Sequence, residues 1–216
     1  MVRLNITVEG QTEEAFIRNT LAPYLGERRV FIFARSVATS RASRGGLVSY
    51  PRARQDIVRW MRQESDARFT TMFDLYGLPD DWPGRELAAA QPDPLGRVRV
   101  MEDAFREDIG DRRFIPHIQL HEFEALLFVD TSKFAARHPD TEAIAELEAI
   151  VDEASNPELI NDGRDTHPSA RIHSCIPRYS KTVDGPLIAA EIGIERMRER
   201  CPHFDGWVAK LIALAE

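Results

Sequence analysis

The chain has 216 residues, 43% of them hydrophobic, and a formal net charge of −7. This length suits one domain, or a domain with an appendage, with a core large enough to need no disulfide or metal staple. The acidic balance excludes attraction of the whole protein to nucleic acid, so such contact would need a local basic segment.

The two cysteines have no metal-binding or redox spacing, and no apolar run approaches the roughly 20 residues that a membrane helix needs. The amino terminus begins directly with a strand pattern rather than with a signal peptide. Together these features favour a reducing cytoplasm and give no reason to expect a membrane partner.

Strands and helices alternate in the first part of the chain. Residues 3–8 alternate apolar side chains as a strand does, and residues 11–25 carry them near helical spacing. A dense apolar run at 28–36, typical of a buried parallel strand, is followed by a helix beginning near Pro51 and a third strand at 67–74. This order predicts a parallel sheet with right-handed crossovers.

The pattern continues less regularly. Residues 79–94 read as a proline-containing loop, residues 97–109 as a helix, and residues 114–119 as a fourth strand followed by a short helix from Leu120. After Asp130 the chain becomes helical, with long loops between the helical segments. We therefore expect an α/β domain over 1–130 and a helical carboxyl-terminal portion over 131–216, packed on it as one compact unit.

Carboxylates follow several of the predicted strands. Glu9 comes after the first strand, Asp74 ends the third, and Glu122 and Glu124 follow the fourth, while Glu13 lies one helical turn beyond Glu9. Ligands bind beyond the carboxyl ends of parallel strands, where these side chains would meet. Because clustered carboxylates repel one another, we expect Mg²⁺ or Mn²⁺ there, with Glu9 as a ligand or as a general base beside it.

Each acid also has a structural interpretation. Glu13 near a helix start complements the helix dipole, Glu9 alone could cap that helix, and Asp74 could be a turn residue. Two acids at the ends of two parallel strands favour a site over these separate explanations.

A basic segment follows the second strand. Arg35, Arg41 and Arg44 lie in a Ser- and Gly-rich stretch that reads as a loop on the same edge as Glu9, where they could grip phosphates. His121, beside Glu122, could ligate a metal, donate to a phosphate, or hydrogen-bond within its turn. The remaining histidines follow no metal spacing and are interpreted as structural: His117, His138, His167, His173 and His203.

Several blocks resemble one known family. The strings VEGQTEE, TTMFDLYGLP, IQLHEFEALLF, NPELIND, PSARI and CPHFDGW, in this order over nearly the whole chain, resemble the bacterial domain-of-unknown-function family 4276. That family is regarded as TOPRIM-like and similar to the nuclease half of the overcoming-lysogenization-defect proteins. The resemblance implies a TOPRIM- or Rossmann-like parallel sheet flanked by helices and Mg²⁺-dependent cleavage or joining of phosphodiesters.

The resemblance also assigns residues. Glu9 matches the glutamate after the first strand, Glu13 the second acid of that motif, and Asp74 the first aspartate of an Asp-x-Asp pair. The second aspartate is replaced by Tyr76, a poor Mg²⁺ ligand, so the resemblance implies that Glu122 or Glu124 completes the metal shell.

A second departure concerns the PSARI block. The family pattern implies a lysine at the position of Ala170, where it could stabilise transition-state charge. Arg171 or Lys181 are the candidates to replace it in that role.

The favoured function is a divalent-metal-dependent nuclease acting on DNA or RNA. The resemblance implies a role in bacterial defence against phage or mobile DNA, beside a separate ABC- or AAA-type ATPase, because this chain has no GxxxxGK[ST] motif. Self-association stays open. The alternative is a TOPRIM-like adaptor that has lost catalysis, whereas an aspartate-nucleophile phosphatase would need an Asp-x-Asp after the first strand, where Glu9-Gly10 stands.

Overall fold

A parallel sheet forms the centre of the protein in this computed structural model, which describes residues 1–37, 47, 49–154, 156–160, 163 and 166–216. All its pairings are parallel, in the order β2-β1-β3-β4, with β5 also paired to β3. The strands are β1 (Val2–Val8), β2 (Val30–Ser36), β3 (Arg68–Asp74), β4 (Phe114–Ile115) and β5 (Ile118–Gln119). The predicted parallel α/β architecture is confirmed.

Helices flank the sheet on both faces. After β1 come α1 (Gln11–Phe16), a π-helical segment (Ile17–Leu21) and α2 (Ala22–Gly26); after β2 comes α3 (Tyr50–Gln63); and after β3 come α4 (Arg85–Ala89) and α5 (Pro94–Ile109). The carboxyl-terminal part holds α6 (Thr141–Glu153), α7 (Pro168–Cys175), α8 (Asp184–Ile192), α9 (Ile194–Arg200) and α10 (Pro202–Ile212). Among the described residues, no helix has the length and apolar character to cross a membrane.

One face of the sheet carries the larger core. Alternate residues of β1, Leu4, Ile6 and Val8, are fully buried there because successive side chains of a strand point to opposite faces. Phe16 of α1 contacts Phe204 of α10 in this core, with ring centroids 6.3 Å apart. The core therefore joins the predicted 1–130 and 131–216 portions.

The other face is covered by α3 and α5. Phe69 and Phe73 of β3 point to this side, where Phe69 packs edge-on against Trp60 and Phe73 stacks near Phe105. A sheet covered on both faces leaves its strand ends, rather than its faces, available to ligands.

The second strand differs from its prediction. Its apolar run predicts a buried strand, but β2 lies at the edge of the sheet, and Phe31 and Phe33 are 43% and 49% exposed. Composition alone does not distinguish an edge strand from a central one, since strand order is decided by tertiary pairing.

The predicted fourth strand is divided. Pro116 has no N–H to donate, and the pairing resumes only at β5. The Thr71 hydroxyl bridges this gap, donating to the His117 carbonyl at 2.9 Å and accepting from the His117 N–H at 3.1 Å. The helix expected from Leu120 is a 3₁₀ helix, Phe123–Val129.

Two further helices lie where the sequence predicts loops. The 79–94 stretch contains α4, and most of α7 lies within residues 156–174, which read as a loop in the sequence. Pro168 occupies the first turn of α7, a position where its missing N–H costs nothing.

Candidate functional site

The predicted acids meet at one edge of the sheet. Val8 of β1 pairs with Met72 of β3, and Asp74 pairs with Gln119 of β5, so all three strands end together. Glu9, Asp74 and the segment that follows Gln119 therefore emerge side by side, as the parallel topology predicts.

Glu9 is held against the turn that follows β3. Its Oε2 accepts a long hydrogen bond from the Asp74 N–H, at 3.4 Å. A Cβ on Gly77 would lie 2.8 Å from Oε1, so any larger residue at position 77 would force the carboxylate to move. Burial, and then the charge of Glu13, raise the pKa of Glu9 to about 7.

Glu13 has both a structural and an electrostatic role. Its Oε2 accepts a hydrogen bond from the Gly10 N–H at 2.9 Å and thereby caps the start of α1. The side chain is nonetheless buried, and burial raises its pKa. This cap agrees with the helix-start interpretation of Glu13. It does not explain why a second buried carboxylate, whose charge is costly to bury, lies beside Glu9.

Asp74 lies at the centre of the acids. Its Oδ1 accepts a hydrogen bond from the Phe123 N–H at 3.0 Å, which ties β3 to the 3₁₀ helix. Burial, followed by the charges of Glu13 and Glu9, raises the pKa of Asp74 well above its usual value.

Glu122 and Glu124 share a lysine from the carboxyl-terminal half. Lys181 Nζ lies 2.9 Å from Glu122 Oε2 and 3.2 Å from Glu124 Oε2. Burial disfavours the lysine charge, but the two carboxylates outweigh this and raise its pKa. Burial also raises the pKa of Glu124 to about 7, even though Lys181 opposes this shift.

The segment around α7 fixes Glu122 further. The Ser169 hydroxyl donates to Glu122 Oε2 at 3.0 Å, and the Ser169 N–H donates to Oε1. The Tyr179 hydroxyl donates to Glu124 at 3.4 Å. Sequence reasoning missed both Ser169 and Tyr179, although Ser169 lies within the quoted PSARI block.

The five acids, which we call the acid cluster, fit a hard divalent cation. Oxygen atoms of Asp74, Glu122 and Glu124 all lie within 4.8 Å of one another. With Lys181, the five carboxylates carry a net charge of −4 when all are ionised, which a buried site tolerates only with bound protons or a cation. An all-oxygen donor set suits Mg²⁺ or Mn²⁺.

The other predicted site residues lie around this cluster or away from it. His121 is buried in a left-handed conformation with φ 61°, and its carbonyl accepts a hydrogen bond from the Tyr76 N–H at 2.9 Å. Arg171 Nε donates to the Thr166 carbonyl at 2.7 Å. Ala170 is the residue after Ser169, within α7.

Arg35 does not lie in a loop, which corrects its predicted placement. It belongs to β2, its guanidinium pairs with Asp56 at 3.1 Å, and it covers the Trp60 ring at 4.0 Å. These contacts give Arg35 a structural explanation. Arg41 and Arg44 lie outside the described residues.

A second cluster of ligand-type side chains lies at the β4–β5 junction. Glu102 Oε1 lies 3.1 Å from His203 Nε2 and 3.6 Å from His117 Nδ1, and it accepts the Ile118 N–H at 2.9 Å. Burial lowers the pKa of His117 to about 4, so this ring is neutral. These contacts satisfy the carboxylate without a metal, and they join α5 and α10 to the sheet.

The family comparison accounts for the motif blocks. The family model described as "Domain of unknown function (DUF4276)" matches residues 8–212. The chain belongs to this family. The family expected from the motifs is thus confirmed. A search of curated proteins found no match for this DUF4276 chain.

Comparison with solved structures gives weaker likenesses. The chain is similar to the C-terminal region of the Burkholderia pseudomallei OLD protein, at 14% identity and a TM-score of 0.48, covering 100% of both chains. It is also similar to the C-terminal region of the Xanthomonas campestris pv. campestris OLD protein, at 15% identity and a TM-score of 0.42, covering 100% of this chain and 98% of that one. The functional argument for this DUF4276 protein therefore depends on its own residues.

Proposed function

We propose that this DUF4276 protein is a divalent-metal-dependent nuclease that hydrolyses phosphodiesters of DNA or RNA. The observation that supports it most is the convergence of five carboxylates and Lys181 at the carboxyl edge of a parallel sheet. Structural ion pairs balance their charges, whereas this set has a large excess of negative charge inside the protein. Such a set favours a site that binds a cation during its work.

The residues divide into three tasks. Asp74, Glu122 and Glu124 would hold Mg²⁺ or Mn²⁺, which would supply Lewis acidity at a phosphate and lower the pKa of a bound water. Glu9 would add its negative charge to the metal site, and with a pKa of about 7 it suits the transfer of a proton from the attacking water near neutral pH. Lys181, released from Glu122 and Glu124 by the cation, would face the charge that develops on the phosphate.

The nuclease is tested by cleavage of plasmid DNA, single-stranded DNA and total tRNA in Mg²⁺ or Mn²⁺. We expect the wild type to cut at least one substrate and Glu9→Gln and Asp74→Asn to lose at least about 100-fold in rate, the usual scale for a removed catalytic group. Glu14→Gln is the matched control, because this acid lies on the same turn of α1 but outside the acid cluster. Equal background in all four proteins would overturn the proposal.

The alternative, an adaptor that has lost catalysis, is supported by Tyr76 at the position of a second aspartate and by Ala170 in place of a lysine. It differs from the nuclease in metal binding. Titration of Mn²⁺ by calorimetry should give a site that Asp74→Asn weakens if the cluster is functional. An adaptor with an inactive site would bind Mn²⁺ weakly and equally in both proteins.

A defence role and a separate ATPase partner belong to the same proposal. They are supported by the motif blocks of the DUF4276 family, which is regarded as similar to the nuclease half of the overcoming-lysogenization-defect proteins. Because the chain has no GxxxxGK[ST] motif, an ATP-driven step would come from another chain. Co-purification of an ATPase with tagged protein from its native host, and loss of phage resistance in the Asp74→Asn strain, would test both ideas.

A further inference from the structure

Tyr76 stands at the rim of the acid cluster. It is the second residue after Asp74, in the 3₁₀ turn Leu75–Gly77. A Cβ on the following residue, Gly77, would meet the Glu9 carboxylate. Its N–H donates to the His121 carbonyl at 2.9 Å, which fixes the backbone. The side chain nevertheless remains 52% exposed. A large ring is thus held beside the charged site without being part of the core.

The ring of Tyr76 is oriented by a neighbour. It stacks on the imidazole of His167 with centroids 4.9 Å apart and an angle of 13° between the planes. His167 is in turn positioned by an Nδ1 contact of 3.2 Å with the Gly163 carbonyl. An exposed aromatic ring fixed in this way loses little conformational entropy when a flat ligand stacks on it.

A cavity of about 490 Å³ opens beside Tyr76, between the β3 turn and helices α4 and α5. Leu75, Ala88 and Met101 contribute apolar lining, and Arg85 and Arg97 are the positively charged residues among those that line it. The Arg85 guanidinium donates a hydrogen bond of 3.2 Å to the Leu78 carbonyl. It also forms an ion pair with Asp80, whose side chain is fully exposed to solvent.

This lining matches the chemistry of a nucleotide. The volume lies within the roughly 300–1,000 Å³ of pockets that hold small ligands. An aromatic ring and apolar walls suit the faces of a nucleobase, and guanidinium groups suit a phosphate. The lining of the cavity also begins at Leu75, the residue that directly follows Asp74 of the acid cluster.

We propose that this cavity binds one unpaired nucleotide of the substrate strand, with the base stacked on Tyr76 and a phosphate near Arg85. The proposal rests on the nuclease function and narrows its substrate to strands that are single or locally unpaired, since a base within a duplex presents no free face for stacking. Tyr76 stands where the TOPRIM pattern has the second aspartate. In this proposal its role is to bind a nucleobase rather than a metal.

Binding is measured apart from cleavage. Fluorescence anisotropy of a labelled 12-nucleotide DNA is recorded in Ca²⁺, a hard cation that neutralises the acids, with a gel to show that the DNA stays intact. Tyr76→Leu should weaken binding about 5- to 100-fold, the loss expected for one stacked base. Tyr76→Phe should remain within about twofold of wild type, and Phe33→Leu, an exposed ring outside the cavity, should change nothing.

A double-mutant cycle decides the assignment. Binding is measured for a set of oligonucleotides that each carry one abasic site. At one position, removal of the base should weaken binding by the wild type by the same factor as Tyr76→Leu does. The same abasic site should not weaken binding by the Tyr76→Leu protein any further. Additive losses at every position, or equal binding of wild type and Tyr76→Leu, would overturn the proposal. If the protein cleaves DNA or RNA but the binding losses are additive, the nuclease proposal stands and the nucleotide-site proposal is wrong. If the binding losses are coupled but no cleavage occurs, the nucleotide site belongs to an adaptor and the nuclease proposal is wrong.

A free mononucleotide is the other source of this chemistry. If AMP or dAMP bound the cavity tightly and the single strand did not bind, the strand proposal would be wrong. We expect mononucleotides to compete only at concentrations far above the Kd of the oligonucleotide, because they lack the contacts of the neighbouring phosphates with the metal site.

Discussion

Single side chains in the acid cluster are governed by the cost of burying charge. Burial raises the pKa values of Glu9 and Glu124 to about 7, and neighbouring carboxylates add to the shift at Glu9. Without a cation, these groups therefore hold protons at a pH where exposed glutamates are ionised. Protons and metal ions compete for the same oxygen atoms.

This competition predicts the pH dependence of metal binding. Since each raised carboxyl must lose its proton before it binds metal, Mn²⁺ affinity should increase as the pH rises from 6 to 8, by up to about tenfold per pH unit for each proton released. Calorimetry in two buffers of different ionisation enthalpy would count the protons. Glu9→Gln should bind more weakly with a shallower pH dependence, and an affinity independent of pH would contradict this picture.

We expect the loss of Lys181 to lower the stability of the protein most when no metal is bound. The Lys181 side chain is 41% exposed, so water screens its ion pairs, and we expect Lys181→Met to lower the free energy of unfolding by about 1–2 kcal/mol rather than the full cost of breaking a buried pair. Mn²⁺ should restore part of this loss, because it supplies the missing positive charge. Thermal melts with and without Mn²⁺ measure both effects.

The control for that change is Lys210→Met, which removes an exposed lysine of α10. It should alter stability by less than about 0.5 kcal/mol, with no effect on the response to Mn²⁺. Equal losses for the two variants would mean that Lys181 is an ordinary surface lysine.

Among the structural elements, the turn after β3 packs directly against the acid cluster. A Cβ on Gly77 would meet both carboxylate oxygens of Glu9, at 2.8 and 2.9 Å. Gly77→Ala should therefore displace the Glu9 carboxylate and weaken Mn²⁺ binding about tenfold or more. Because the displaced atoms end a flexible side chain, the stability loss should stay at or below the lower end of the roughly 1–3 kcal/mol typical of overpacking.

Gly206→Ala provides the matched comparison. Gly206 lies inside α10, and a Cβ there would meet nothing within 4 Å. Alanine should stabilise the helix by up to about 1 kcal/mol and leave Mn²⁺ binding unchanged. If Gly77→Ala behaved like Gly206→Ala, the close packing of the turn on Glu9 would have no functional consequence.

For the whole molecule, the shared core predicts how the chain unfolds. Phe16 and Phe204 meet in one cluster, although they belong to the predicted 1–130 and 131–216 portions. We therefore expect a single cooperative transition in urea, followed equally by circular dichroism and tryptophan fluorescence.

Truncating the shared core tests this directly. Phe204→Ala should lower the free energy of unfolding by about 3–5 kcal/mol, because the side chain is fully buried. The midpoints from both probes should shift together. Two separated transitions, only one of which moves, would show that the helical portion is an independent domain.

The sequence alone determined the parallel sheet and the edge on which Glu9 and Asp74 lie. Alternating apolar residues define β1, and parallel strands place their carboxyl ends at one edge, so these two positions follow from local pattern and topology. The acids at Glu122 and Glu124 follow in the same way from the strand that precedes them.

Tertiary structure decided what distant segments bring to that edge. Lys181 and Ser169 reach Glu122 because the carboxyl-terminal helices pack on the sheet face that carries Leu4, Ile6 and Val8 of β1. No local sequence pattern encodes that contact. Pairing order made β2 an edge strand with Arg35 held by Asp56. The physical reason is that periodicity is set by neighbours along the chain, whereas contacts between segments depend on how complete faces pack together.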